Sequence, residues 1–139
     1  MSDCVFCKIL SGDLPGTFVF KDETCSAFLD IHPINPGHVL VVPNRHVNNV
    51  VELTTEEAAH LLKIGRQILI SIKKTKLQCE GVNLFISDGA AAGQAVPHTH
   101  LHIVPRFFKD GQKIGFKHSN MSRERLEAIA KQIQDGITK

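Results

Sequence analysis

The stretch Gln94-Ala95-Val96-Pro97-His98-Thr99-His100-Leu101-His102-Ile103-Val104-Pro105-Arg106 alternates between imidazole and smaller or apolar side chains from His98 onward. Side chains along an extended chain repeat with a period of two. The pattern therefore predicts a strand over 98–104, with His98, His100 and His102 on one face and Thr99, Leu101 and Ile103 on the other, where a helix can pack. Three imidazoles in a row are a poor way to build a sheet face for stability alone. Each ring needs hydrogen-bond partners once buried, and rings that protonate repel one another. Three uses of the row stay open: a half-exposed strand with a histidine outer face, a three-histidine metal site, and nucleophilic catalysis in which one imidazole attacks while its neighbours fix tautomer and charge. A third ligand at the same spacing lies far from the first, which weighs against one small ion.

Outward from this stretch, Asp88 to Gln94 is a small-residue loop in which Gly89 and Gly93 allow positive φ and Ala90 to Ala92 keep side chains away from a ligand. Residues 82–87 alternate like a strand. Residues 17–21 and 24–30 form a hairpin around Asp22-Glu23, and 38–42 form a β-branched strand ended by Pro43. Between these, His32-Pro33-Ile34-Asn35-Pro36-Gly37 is a loop. Thr54 and Glu57 make a capping box at the start of a helix whose stripe is Ala58, Leu61, Leu62, Gly65, Ile68, Leu69 and Ile72. A second helix runs from about 122 to 133, with Leu126, Ile129, Ala130 and Ile133 on one face. Strands flank one long helix without βαβ alternation, which predicts an α+β domain with an antiparallel sheet.

The chain has 139 residues, a hydrophobic fraction of 42% and a net charge of +2, values expected of one globular domain over 1–139. So balanced a charge argues against a nucleic-acid polymer or a membrane surface as partner, and no apolar run approaches the ~20 residues of a membrane span. Met1-Ser2-Asp3-Cys4 lacks the basic and apolar regions of a secretory leader, so a cytoplasmic location is expected and Cys4, Cys7, Cys25 and Cys79 are expected to stay reduced. Cys4-x-x-Cys7 is open to three readings: incidental spacing, a redox pair, or half of a zinc site.

His-Thr-His-Leu-His-Ile-Val at 98–104 resembles the signature of the histidine-triad (HIT) superfamily of nucleotide hydrolases and transferases. The resemblance extends to the loop Ser87 to Gln94, to Phe28-Leu29-Asp30-Ile31, to Asn35-Pro36-Gly37-His38 with the strand up to Pro43, and to Cys4-Val5-Phe6-Cys7, which is similar to the N-terminus of the bacterial branch. It spans residues 4 to about 106. It implies a HIT-like fold of about five antiparallel strands and two helices, with the sheets of two chains joined in a homodimer.

The same resemblance implies cleavage at the α-phosphate of nucleoside phosphoramidates or dinucleoside polyphosphates, with a purine nucleotide as substrate. His100 would be the nucleophile, His102 would donate to a phosphate oxygen, and His98 would order the network behind them. Asp30 matches the residue at the ribose hydroxyls and Ile31 lines the base, although a strand-terminal Asp capping the next turn looks the same in sequence. His38 matches a histidine near the α-phosphate, a position that a core histidine also suits. Ser87, Gly93, Gln94 and Ala95 complete the nucleotide site with His100 and His102. A structural zinc is implied on Cys4, Cys7, His46 and His98, and no cofactor is required for catalysis. Ala95 stands where many members carry Ser or Thr, the one feature that favours a nucleotide-binding sensor or adaptor with little turnover.

Overall fold

The computed structural model describes residues 3–137, so the two residues at either end of the expected 1–139 domain lie outside the described part. Five strands, β1 (Phe18–Lys21), β2 (Cys25–Leu29), β3 (Val39–Pro43), β4 (Gly81–Phe85) and β5 (Leu101–Arg106), form one antiparallel sheet in the order β1-β2-β3-β5-β4. Three helices accompany it: α1 (Val5–Ser11), α2 (Thr55–Lys73) and α3 (Arg123–Gly136). The expected α+β antiparallel architecture is present, with one helix more than the two expected.

The additional helix, α1, has seven residues, too short for apolar periodicity to stand out in sequence. Cys4 caps it, its Sγ accepting from the Cys7 amide, and Gly12 closes it at φ 90°. Capping by sulfur is one of two uses of Cys4, and the other reaches the functional site.

The sheet has two apolar faces. On one, Cys25, Ala27, Val39, Val41, Leu101 and Ile103 pack against Leu61, Ile64, Ile68 and Ile72 of α2. On the other, Phe28, Leu40 and Val42 pack against Cys4 and Phe6 at α1. Leu101 and Ile103 thus face a helix as the alternation predicts.

The capping box of α2 forms as expected: Thr54 Oγ1 accepts from the Glu57 amide at 3.0 Å and Glu57 accepts from the Thr54 amide at 2.8 Å. The buried stripe is narrower than the sequence suggests. Ile64 joins it, whereas Ala58 and Leu62 are exposed, because each lies about 100° around the helix from the buried Glu57 and Leu61.

The strand expected over 98–104 runs instead from Leu101 to Arg106. The amides of His98 and Thr99 are bonded to the Val96 and Val47 carbonyls, at 2.8 Å each, so the chain joins the ladder only after His100. In α3, which runs slightly past the expected end, the apolar residues Leu126 and Ile133 are exposed and belong to neither core cluster. No helix among the described residues is long and apolar enough to cross a membrane.

Gly65 sets how closely α2 approaches β5. A Cβ there would lie 2.9 Å from Leu101 Cδ2 and 3.1 Å from Ile103 Cδ1, both buried. Gly65→Val therefore forces the helix off the strand and should destabilise the protein by roughly 1–3 kcal/mol. Thermal unfolding checks this, and an unchanged midpoint would show that the contact yields without cost.

Candidate functional site

The three histidines of the signature leave the backbone in different company. His98 is fully buried, and its Nε2–H donates to the Pro43 carbonyl at 2.9 Å. Its Nδ1 is therefore a lone pair, and it points at Cys4 Sγ (3.4 Å), Cys7 Sγ (3.6 Å) and His46 Nδ1 (3.2 Å). Cys7 Sγ is also 3.2 Å from His46 Nδ1, and all four atoms lie within 4.8 Å of one another.

Tetrahedral zinc with ligands at ~2.0–2.3 Å has ligand–ligand edges of about 3.3–3.8 Å, close to these separations. The cluster joins the start of α1, the loop after β3 and the approach to β5. Its Pro43 bond is of the kind that fixes a metal-binding imidazole in one tautomer. The donor set fits zinc, and an ion there would tie these three segments together. Burial raises the Cys7 thiol pKa, so a cation is also what would favour its thiolate.

His46 is steadied from the side. Neighbouring Arg45 donates to Glu57 at the head of α2 through Nε (3.2 Å) and Nη2 (2.7 Å). Nothing in the sequence motif points to this pair, because it depends on how the loop folds onto the helix.

His100 turns the other way. Its Nδ1–H donates to the His98 carbonyl at 2.7 Å, leaving Nε2 as a lone pair. The ring is buried against Phe6, edge to face at a centroid distance of 5.0 Å. Burial holds its pKa below the usual histidine value, against the opposing pull of the His98 carbonyl and the Asp30 charge. At neutral pH it is an uncharged imidazole with a free lone pair.

His102 is set by a short relay. The Ile34 amide donates to His38 Nδ1 at 3.0 Å, so His38 carries its proton on Nε2, and that nitrogen lies 2.9 Å from His102 Nδ1. His102 thus accepts at Nδ1 and keeps an N–H at Nε2. Burial, with the neighbouring His100 and His38, pushes its pKa down to about 4. Phe85, its partner in the β4–β5 register, stacks on the ring at 4.3 Å and 10°. The sequence reading missed Phe85, whose importance depends on that register alone.

A cavity of about 510 Å³ opens onto these rings, lined by Phe6, Phe28, Leu40 and Val96 together with several expected residues. Asp30, Ile31, Ala95, His100 and His102 all border it. Asp30 Oδ1 accepts from the His32 amide at 2.9 Å and its Oδ2 is 3.7 Å from His38 Nε2, while Ile31 is 81% exposed at the edge.

Gly93 closes the turn Ala90–Ala92 at φ 89°. The side chain of Gln94 braces this loop, accepting from the Gly89 amide and donating to the Asn48 and Val96 carbonyls. Ser87 lines a different cleft, along β4 beside Phe85 and Ala92. The fold thus brings His98, His100, His102, His38, Asp30 and Ala95 together and sets Ser87 to one side.

A family model described as the HIT domain matches residues 11–109. A crystal structure of a HIT family member from Bacillus subtilis is similar over 99% of both chains, with a TM-score of 0.91 and 36% identity. A Zn-bound histidine triad family protein from Mycobacterium smegmatis, also 36% identical, has a TM-score of 0.76 over 98% of this chain and 99% of that one. The adenylylsulfatase HINT3 of Arabidopsis thaliana is 37% identical over 109 residues, 78% of this chain and 55% of that protein.

Two outcomes follow from this geometry. Purified protein should carry one zinc per chain, and Cys7→Ser should lose it with a lower unfolding temperature; metal retained at full occupancy in that variant would exclude the four-ligand cluster. The second concerns acid. Between pH 6.5 and about 4 the unfolded chain protonates the residue-102 imidazole while the folded chain does not, so stability falls as pH falls through that window. From pH 7 to pH 5, wild type should lose several degrees more in Tm than His102→Gln, and equal losses would show that this ring is not the source.

Proposed function

The chain belongs to the HIT domain family, and we propose that it is a nucleotide hydrolase cleaving at the α-phosphate of nucleoside phosphoramidates or dinucleoside polyphosphates. The observation that carries this reading is the His100 ring, bonded through Nδ1–H to the His98 carbonyl with its Nε2 lone pair left free beside the cavity. A buried, neutral imidazole held in one tautomer is ready to attack phosphorus without first losing a proton.

The chemistry runs in two displacements. The His100 Nε2 lone pair forms a bond to the α-phosphorus as the bond to the leaving group breaks. The leaving group departs with that electron pair and, if an amine, takes a proton from water. A water molecule then attacks the same phosphorus, the N–P bond breaks, its electrons return to Nε2, and the water's proton passes to solvent. The products are the nucleoside monophosphate and the leaving group, released as the protonated amine from a phosphoramidate and as the nucleoside phosphate anion from a dinucleoside polyphosphate. His102 Nε2–H donates to a non-bridging phosphate oxygen in both steps, where charge accumulates.

His98 holds His100 through its carbonyl. Asp30 takes the ribose hydroxyls, and Phe6 and Phe28 suit a flat purine base. Ile31, His38, Gly93, Gln94 and Ala95 complete the nucleotide site in this reading, whereas Ser87, expected there from the sequence, lines the neighbouring cleft along β4. Zinc on Cys4, Cys7, His46 and His98 is structural and takes no part in either step. The Arabidopsis relative, by name an adenylylsulfatase, supports cleavage next to an adenylyl group.

We read the chain as one domain over 1–139 that acts in the cytoplasm as a homodimer. Support for the dimer comes from β4, an edge strand that pairs only with β5 among the described residues and carries exposed Leu84 and Phe85. One feature favours a second reading, a sensor that binds nucleotide with little turnover. Ala95 brings no hydroxyl to the leaving-group side of the cavity.

Acid-quenched protein mixed with adenosine 5′-phosphoramidate should show a transient adduct of AMP mass by intact mass spectrometry. His100→Asn should lose both adduct and turnover while still binding AMP. Near wild-type hydrolysis by His100→Asn would remove His100 as nucleophile. Tight AMP binding by wild type without adduct or product would favour the sensor.

A further inference from the structure

Asp110 lies in the turn after β5, where Lys109 at φ 66° and Gly111 at φ 80° fold the chain back. Its side chain is 2% exposed and accepts an unusual number of bonds for a surface turn. Arg106 donates through Nε at 2.6 Å and Nη2 at 3.1 Å, Asn35 Nδ2 at 2.9 Å, and the Gln112 and Phe107 amides at 2.9 and 3.4 Å. The Arg106 guanidinium holds the Asp110 carboxyl well below the usual carboxylate range, so it is ionised. An aspartate that merely closes a turn needs one or two of these partners.

The bond that leaves the turn is the one to Asn35. This side chain is itself buried, and its Nδ2 also donates to the Pro105 carbonyl at 2.9 Å. Gln112 adds a second tie, Nε2 to the Ile34 carbonyl at 3.3 Å. The loop before His38 is therefore clasped at two adjacent residues, and one of them supplies the amide that bonds His38 Nδ1.

From these contacts we infer that Asp110, acting through Asn35, is a positioning residue that holds the Ile34 amide against His38 and thereby imposes the tautomers of both His38 and His102. His38 is 2% exposed, so bulk water cannot replace a lost donor at Nδ1. Were the ring to put its proton on Nδ1, Nε2 would turn its lone pair toward His102 Nδ1. His102 would then have to donate there, and its Nε2 would lose the hydrogen that faces phosphate. The two rings switch together because each shared contact needs one donor and one acceptor. His100 stands outside this relay, since its Nδ1–H goes to the His98 carbonyl.

The catalytic consequence rests on the hydrolase reading above, whereas the tautomers do not. The test is Asp110→Asn in the full chain, with zinc content matched to wild type, followed by ¹⁵N imidazole spectra at pH 7. Wild type should show one tautomer at each ring, Nε2–H at His38 and His102 and Nδ1–H at His100. The variant should show mixed tautomers at His38 and His102 with His100 unchanged. With adenosine 5′-phosphoramidate its kcat should fall about 10–100-fold and KM should change less, short of the ~10²–10³-fold typical when a single oxyanion donor is removed entirely.

Unchanged His38 and His102 spectra in a folded variant would overturn the inference. So would disturbance of all three rings together, which marks general loosening. If Asp110→Asn does not fold, Ile34→Pro removes the same amide directly and should give the same pattern, with the same results overturning it. If wild type turns over neither the phosphoramidate nor a diadenosine polyphosphate, the hydrolase reading fails, while the spectra still decide the tautomers.

Discussion

A neutral imidazole has one N–H and one lone pair, so the first hydrogen bond it makes decides what its other nitrogen can do. Around this sheet the first bonds go to the backbone. The carbonyl of Pro43 takes the proton of His98, the carbonyl of His98 takes the proton of His100, and the amide of Ile34 donates to His38. Three rings are thereby given three different free ends: a lone pair toward the sulfurs of Cys4 and Cys7, a lone pair beside an open cavity, and a donor passed along to His102. Burial keeps each of them uncharged by making protonation costly.

Backbone partners can do this only if the backbone does not move. On the far face of the sheet, Leu101 and Ile103 are gripped by α2 at Gly65, which fixes the start of β5 from behind. On the near face, α1 lays Phe6 against Phe28, His98 and His100 at centroid distances of 5.4, 5.9 and 5.0 Å. The signature segment is thus held between a helix that packs apolar side chains and a shorter one that packs aromatic edges. The Cys4–Cys7–His46–His98 cluster joins the shorter helix to the same segment, so a zinc there would hold that segment in place.

Much of this was legible in the residues. Alternation around Leu101 and Ile103 predicted which side of the strand would meet a helix, and Thr54 with Glu57 marked where that helix begins. Local signals of this kind survive because a period or a cap is decided by near neighbours in the chain. Resemblance to a known family supplied the rest of the candidate site, including His46 as a partner for residues far away in sequence. Legibility ended where long-range register took over. Phe85 stacks on His102 because β4 and β5 pair at that residue, and Arg45 meets Glu57 because a loop returns to a helix head.

What the sequence determined by itself is therefore the antiparallel α+β sheet with its long helix, and the identity of the imidazoles and thiols available for chemistry. Which nitrogen each ring leaves free is decided only by the tertiary structure. His98, His100 and His102 are equivalent in an alternating pattern, and an isolated strand would present them alike. They become different because the chain leaves the ladder before Leu101, exposing the His98 carbonyl to one ring and turning another toward the cysteines. A tautomer is chosen by the nearest fixed donor or acceptor, and only the folded chain brings Pro43, Ile34 and Asp110 to those places.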